Sequence, residues 1–163
     1  MRLAGDHSLR EKEDSHVSVT KPAQKRRFMS AAIPKLHEME YFVTDHEAIH
    51  FMGPAVPPVL STPALVNWME LTSRENVSSL LQPGEDTVGV SVHVKHLAAT
   101  PVGMKVRVVS KLVKMEGRNC TFEIEAFDEL DRIGEATHER ACVLVAKFAS
   151  RVAAKKEKAG LAG

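Results

Sequence analysis

Glu70 has the clearest chemical potential in this chain, because its carboxylate falls within an apolar helical segment, 62–71. Its neighbours Met69 and Leu71 are apolar, and Trp68 precedes them. A carboxylate in such surroundings must be paired, hydrogen-bonded, placed at a cavity or neutralised. Carboxylates of this kind are commonly used as general bases or nucleophiles. We therefore expect a partner for Glu70 elsewhere in the chain, although a structural hydrogen bond or an interface ion pair explains the pattern equally well.

Thr62 has the helical spacing needed to share a groove with Glu70. Thr62, Val66 and Glu70 are separated by steps of four residues, which places them on one ridge of a helix. Thr62 and Glu70 then lie roughly 12 Å apart along the axis at 1.5 Å per residue. A substrate carbonyl near the helix N-terminus would meet free N–H groups that favour negative charge. A role as helix N-cap before Pro63 also fully explains Thr62.

His96 is the candidate partner, because it ends a strand with alternating character. A strand with period two places one set of side chains on the core face and the other on the solvent face. An inward imidazole opposite an inward carboxylate, from the same chain or from a symmetry mate, would form an acid/base pair. Taken alone, His96 is more simply a core histidine. The proposed core face carries Val90, Val92, Val94 and His96, and the opposite face carries Gly89, Ser91, His93 and Lys95.

The elements that position these residues follow from periodicity and turn signals. A first strand at 36–44 precedes a loop rich in Pro and Gly, and a helix runs from Thr62 to about Leu81. Four strands with alternating residues follow at 88–96, 104–115, 119–127 and 133–148, joined by short turns. One strand, one long helix and an antiparallel meander predict an α+β fold, a five-stranded antiparallel sheet wrapped around one central helix. We expect a disordered polar extension at 1–32, the domain at 33–148 and a basic tail at 149–163.

Composition limits the classes of function. The 163 residues carry a formal net charge of +1, which gives no electrostatic reason to expect nucleic acid as a partner. No apolar run approaches the roughly 20 residues that span a bilayer, so no membrane partner is expected. The two cysteines, Cys120 and Cys142, have no metal-ligand spacing and are expected to be buried free thiols. A reducing, cytoplasmic location and the absence of a bound metal are the corresponding expectations.

Five sequence blocks together resemble the fluoroacetyl-CoA thioesterase family. Their order and spacing are kept from about residue 39 to residue 148, and both tails lie outside the resemblance. The blocks are Ser61-Thr62-Pro63 with Trp68-Met69-Glu70, then Leu81-Gln-Pro-Gly-Glu85, then Val94-Lys-His-Leu-Ala-Ala-Thr-Pro101, and finally Gly134-Glu-Ala-Thr-His-Glu-Arg140.

The resemblance implies the hotdog fold and a homodimer with active sites at the subunit interface. It also implies hydrolysis of an acyl-CoA thioester to a carboxylic acid and free CoA, with no cofactor besides the CoA of the substrate. Thr62, Glu70 and His96 match the family's catalytic residues. Glu70 would act as nucleophile or general base, His96 as general acid/base and Thr62 as an orienting hydroxyl.

The resemblance further matches Gly89 and Arg140 to substrate-contacting positions. From the residues alone, a strand start explains Gly89, and a sheet salt bridge with Glu135 or Glu123 explains Arg140. In the fluoroacetyl-specific enzymes a phenylalanine-bearing lid precedes the catalytic threonine, and Val56 stands at that position here.

Val56 therefore favours a broader range of short acyl-CoA substrates, or another small activated acyl group, over fluoroacetyl-CoA. A hotdog module that binds acyl-CoA without hydrolysing it is the alternative function. A hotdog hydratase is disfavoured, because no Asp-x-x-x-x-His pair begins the long helix.

Overall fold

A computed structural model describes residues 33–161. The extension predicted at 1–32 lies outside the described residues. The elements are β1 (Lys35–Phe42), a short 3-10 turn (Asp45–Glu47), β2 (Ala48–Ile49), β3 (Val59–Leu60), α1 (Thr62–Ser78), β4 (Glu85–His96), β5 (Lys105–Glu116), β6 (Asn119–Phe127), β7 (Arg132–Leu144) and α2 (Val145–Lys158).

One five-stranded antiparallel sheet forms the body of the fold, in the order β1-β5-β6-β7-β4. Strands β1 and β4 are therefore the two edges, and α1 packs across the sheet against all five strands. This confirms the predicted α+β architecture with one long helix on one face. None of the described helices is long and apolar enough to cross a membrane.

The buried face of α1 follows helical periodicity. Its buried positions repeat every three or four residues, as expected for a helix whose stripe faces a sheet. Glu70 lies beside this stripe and its side chain is 40% exposed. The carboxylate is therefore partly open to solvent, and the partner expected for it lies on β7. The stripe comprises Leu65, Trp68, Met69, Thr72, Ser73, Asn76 and Val77.

The N-cap of α1 is Ser61, one residue before the predicted Thr62. The Ser61 hydroxyl accepts a hydrogen bond from the Ala64 backbone N–H at 3.3 Å, and Thr62 is already helical. Because capping occupies Ser61, the Thr62 side chain is available for another contact. The helix ends at Ser78, three residues earlier than predicted, and tighter turns through Leu80 and Leu81 follow it.

Strand β7 and helix α2 meet where the sequence predicted a continuous strand. The strand predicted to reach residue 148 stops at Leu144, and α2 begins at Val145. The segment 145–158 is rich in Ala and Lys, which are strong helix formers. Residue 148, the predicted end of the domain, therefore falls inside a helix.

Strand β4 contains a bulge that changes one predicted orientation. The pairing with β7 shifts between Gly89 and Ser91, which leaves Val90 without a partner and 63% exposed. The prediction that Val90 faces the core is wrong for this reason. After the bulge, Val92 and Val94 pack against the core as predicted, and His93 is exposed.

We expect Ser61→Ala to destabilise the protein and Thr62→Ala to leave helix capping intact. Loss of a serine N-cap removes the partner of the Ala64 N–H and costs about 1 kcal/mol of unfolding free energy. Chemical denaturation of the two variants measures this difference. A larger loss in Thr62→Ala than in Ser61→Ala would contradict the observed cap.

Candidate active site

Thr62 and His96 form the first half of the site. The Thr62 hydroxyl Oγ1 lies 3.0 Å from His96 Nδ1, at the point where the start of α1 meets the end of β4. Ser61 performs the capping, so Thr62 can direct its hydroxyl towards the imidazole. The predicted inward orientation of His96 therefore brings it to Thr62.

The environment of His96 favours the neutral imidazole. Burial lowers the pKa of His96, and the Ala98 backbone offsets part of that effect. Nε2 is buried and has no hydrogen-bond partner among the described residues. A neutral histidine with Nδ1 engaged by a hydroxyl and Nε2 unengaged has the capacity to accept or donate one proton.

Glu70 belongs to a second half, built with β7. Its carboxylate oxygen Oε1 lies 3.8 Å from Arg140 Nη1 and 3.6 Å from His138 Nε2. The described polar contacts of this carboxylate all involve Oε1. The carboxylate is therefore anchored at one oxygen, opposite a positive charge.

Arg140 is fixed by β4 and not by the predicted glutamates. Its Nε donates to Thr87 Oγ1 and its Nη2 to the Thr87 carbonyl, both at 2.9 Å. Burial lowers the pKa of Arg140, and the charge of Glu70 offsets part of that effect. The predicted alternatives, Glu135 and Glu123, instead pair with lysines on the other face of the sheet. The ordinary sheet salt bridge proposed for Arg140 is therefore wrong.

His138 is a member of the site that the sequence analysis missed. It is fully buried, and its Nδ1 lies 2.8 Å from the Ser91 carbonyl, a geometry that makes Nδ1 the donor. Nε2 is then the acceptor for Arg140 Nη1 at 3.2 Å. Burial lowers the pKa of His138, and the charge of Arg140 lowers it further. Period-two alternation through Ala136, His138, Arg140 and Cys142 was the signal that could have identified it.

Gly89 makes room for the carboxylate of Glu70. A Cβ at position 89 would overlap Glu70 Oε1, and it would lie 3.5 Å from His138 Cε1. The absence of a side chain at Gly89 thus leaves room for the Glu70 carboxylate between α1 and β4. Gly89 therefore faces α1, and the prediction that it lies on the solvent face of β4 is wrong, because the bulge after it shifts the alternation.

The structure does not join the two halves within one chain. His96 follows Gly89 by seven residues, roughly 20 Å along a strand at 3.3 Å per residue. Among residues 33–161 there is no contact between Glu70 and His96. The expected acid/base pair is therefore not formed inside a single chain, and its formation between two chains stays a prediction.

Val56 lies in the loop that leads into β3 and the start of α1. Its side chain is 40% exposed, and its backbone N–H donates to the Gly53 carbonyl. The loop borders an open cavity of about 540 Å³. Phe51, also in this loop, is 83% exposed. The described contacts do not connect Val56 with Thr62 or His96.

This chain is similar to a known protein family and to a known protein. A family model described as fluoroacetyl-CoA-specific thioesterase matches residues 43–146. A fluoroacetyl-CoA thioesterase of Streptantibioticus cattleyicolor is 34% identical over 119 residues, covering 69% of this chain and 86% of that protein.

Solved structures show the same likeness. The structure of a fluoroacetyl-CoA thioesterase superposes with a TM-score of 0.71 at 31% identity, covering 77% of this chain and 97% of that one. A Thermus thermophilus member of the thioesterase superfamily gives a TM-score of 0.71 at 34% identity, over 77% and 93% of the two chains. A hot-dog-like protein from Thermanaerovibrio acidaminovorans, 22% identical with a TM-score of 0.69 over 76% and 92%, shows the fold alone.

The sheet order, the single helix across it and these likenesses define a hotdog-fold thioesterase. The chain belongs to the fluoroacetyl-CoA-specific thioesterase family. The predicted fold and family are thereby confirmed.

The buried histidines predict that stability falls in mildly acidic solution. His96 and His138 have lowered pKa values in the folded state, whereas an unfolded histidine titrates near 6.5. The unfolded chain therefore binds more protons as the pH falls below about 6.5, and the free energy of unfolding decreases there. Carboxylates with lowered pKa values, such as Asp86, change the free energy of unfolding only at pH values below about 4.

Denaturant titrations between pH 5 and 8 measure this effect. We expect His138→Gln to reduce the slope of stability against pH while lowering stability at pH 7, because the Ser91 and Arg140 contacts are altered. His93→Gln, on the exposed face of β4, is the matched control and should keep the slope. An unchanged slope in His138→Gln would show that His138 does not contribute.

Proposed function

We propose that this protein hydrolyses a short acyl-CoA thioester to a carboxylic acid and free CoA. The observation that supports this most directly is the anchored carboxylate of Glu70 on the same helical ridge as the Thr62–His96 pair. A thioester needs a nucleophile or an activated water, and it needs a proton donor for the leaving thiolate. This pair of sites supplies those groups in a chain of thioesterase ancestry.

Glu70 acts on the thioester carbonyl in this proposal. The positive charge of Arg140, with Nη1 3.8 Å from Oε1, attracts that oxygen and leaves Oε2 as the reactive oxygen. Direct attack would form a tetrahedral intermediate that expels the CoA thiolate and leaves an acyl-enzyme anhydride. Water would then cleave the anhydride and regenerate the carboxylate. Alternatively, Oε2 removes a proton from a water molecule that attacks the carbonyl. Both routes consume one water and release one acid and one thiol.

His96 manages the proton in both routes. In the general-base route the proton that Oε2 takes from water passes to neutral His96 and from there to the leaving thiolate. In the anhydride route the thiolate leaves first, and His96 takes up a proton from the water that then cleaves the anhydride and passes it to the thiolate. The Thr62 hydroxyl at Nδ1 fixes the orientation of the ring. Thr62 is thus an orienting residue, and Gly89 provides the space that the Glu70 carboxylate occupies.

A homodimer would unite the two halves, and the geometry of β4 supports this. Strand β4 is a twelve-residue edge of the sheet, and Val90 on it is 63% exposed. A long edge strand offers unpaired backbone groups to another strand. A two-fold axis between Val92 and His93 would set His96 of one protomer opposite the partner subunit's Gly89. Each Glu70 would then meet the Thr62–His96 pair of the partner subunit.

The loop before α1 supports a substrate other than fluoroacetyl-CoA. Val56 stands where the resemblance places a gating aromatic, and its 40% exposure leaves the loop open. A short acyl group of ordinary reactivity fits such an unsealed site. The open loop also favours the second candidate, a module that binds acyl-CoA without hydrolysis. The proposal needs no cofactor, because CoA enters with the substrate.

A cytoplasmic location forms part of the proposal. Cys120 and Cys142 are buried, with their sulfurs 4.0 Å apart. The contact with Cys142 and burial raise the pKa of the Cys120 thiol, which keeps it protonated and unreactive. Two sulfurs at 4.0 Å are farther apart than in a disulfide bond, which suits a reducing compartment.

We expect Glu70→Gln to reduce thioester hydrolysis by about 10²- to 10⁴-fold, because the amide cannot act as nucleophile or base. Release of free thiol from a panel of short acyl-CoAs measures the rate. Glu75→Gln, an exposed change on the same helix, is the matched control and should keep full activity. Binding of acyl-CoA by the wild type without release of thiol would instead establish the binding module.

Mixed dimers test whether a site combines residues of two chains. Co-expressed Glu70→Gln and His96→Gln chains should form heterodimers with one intact site, and random pairing predicts about a quarter of wild-type activity. Co-expressed Thr62→Ala and His96→Gln chains damage the same half, so they should regain nothing. Equal activities of the two mixtures would rule out a shared site.

A further inference from the structure

A cleft between β7 and α2 lies outside the machinery described above. It has a volume of about 140 Å³, and its walls are Arg118, Val143, Leu144, Lys147, Phe148 and Arg151. At roughly 30 Å³ per water molecule, the space suits one phosphate group or one flat ring. It is too small for a whole nucleotide, so a ligand there would be held by one part.

The charges of the cleft are all positive. Arg118, Lys147 and Arg151 line it without any carboxylate. Within residues 33–161, none of these three cations forms an ion pair. The outer face of the sheet behaves differently, because its cations are paired, as Lys95 is with Glu135. The cleft therefore concentrates uncompensated positive charge, which favours an anion with several charges.

Two features of the cleft favour a ligand that carries both a phosphate group and an aromatic ring. Arg118 is fixed by a hydrogen bond of 2.8 Å from Nε to the Cys142 carbonyl, which holds one edge of the guanidinium. Guanidinium groups bind phosphate through their remaining N–H groups. Phe148 supplies an aromatic surface that is 42% exposed, and nucleobases stack on such surfaces.

The position of the cleft relates it to the thioester site. Leu144 of β7 pairs with Glu85 of β4, and Arg140 pairs with Gly89 farther along the same two strands. Val143 and Leu144 follow Arg140 by three and four residues, about 10–13 Å at 3.3 Å per residue. An extended arm could therefore connect a group in the cleft with a thioester beside Glu70.

We propose that this cleft binds the phosphorylated adenosine end of the CoA thioester. The cations hold its 3′-phosphate group inside the cleft, and the adenine packs outside the cleft against the exposed surface of Phe148. This inference rests on the proposed function for the identity of the ligand. Two of the three cations and Phe148 lie within residues 147–151, beyond the stretch 43–146 that the family model matches. The pantetheine arm of CoA then spans the distance to Glu70.

Calorimetry on the full chain with CoA, dephospho-CoA and adenosine 3′,5′-bisphosphate tests the proposal without requiring hydrolysis. We expect Lys147→Ala and Arg151→Ala each to raise the Kd of CoA and of the bisphosphate roughly three- to tenfold, by loss of a charge-assisted contact. Lys156→Ala, on the same helix but outside the cleft, should leave both values unchanged. Dephospho-CoA, which lacks the 3′-phosphate, should bind more weakly than CoA.

Kinetics separate this proposal from the proposed function. The cleft variants should raise KM for an acyl-CoA at unchanged kcat and should leave hydrolysis of the matching acyl N-acetylcysteamine thioester unaffected. Failure of the wild type to hydrolyse any acyl-CoA would remove the proposed function, and the Kd values would still decide the ligand of the cleft. Unchanged Kd values, an equal effect of Lys156→Ala, or a changed oligomeric state in the cleft variants would overturn the assignment.

Discussion

The arrangement around Glu70 depends on one buried guanidinium. Arg140 is 6% exposed, and a charge removed from water to that extent requires compensation by hydrogen bonds and opposite charge. Thr87 provides two acceptors and His138 a third, while Glu70 provides the countercharge. His138 can accept only in its neutral form, and its lowered pKa meets that requirement. The carboxylate is consequently positioned by the same contacts that make Arg140 tolerable in the interior.

The fold brings these groups together through two departures from regular structure. The missing side chain at Gly89, next to the bulge of β4, leaves room for the Glu70 carboxylate beside His138 of β7. At the other end of β4, Ser61 caps the helix and leaves the Thr62 hydroxyl for His96. The contacts of Glu70 join α1 to β7 and the contact of Thr62 joins α1 to β4, so the packing of one helix on two neighbouring strands determines the whole site.

Periodicity was sufficient to predict the sheet, the helix and the inward direction of His96. It could not predict the orientation of Val90, because a bulge inserts one residue and interrupts alternation locally. Thr62 and Ser61 are both good capping residues, so type alone could not decide which one caps. The contacts of Arg140 joined residues about 50 and 70 positions apart, and no local pattern records such distances. His138 was overlooked, although its alternation with Arg140 and Cys142 was present in the sequence.

Glu70 lies on a ridge of α1 and His96 at the end of β4. Within a single chain their side chains remain apart. If the base and the proton carrier of a hydrolase belong to different chains, the enzyme is active only after the chains assemble. An exposed edge strand makes such assembly possible, because it can pair with a strand of another chain. The 40% exposure of the Glu70 side chain suits the proposed dimer, in which an oxygen of this carboxylate would remain open to the substrate and to the second chain. Helix α2 follows β7 directly, and β7 pairs with β4. The same two strands would therefore position both the proposed CoA cleft and the proposed thioester site.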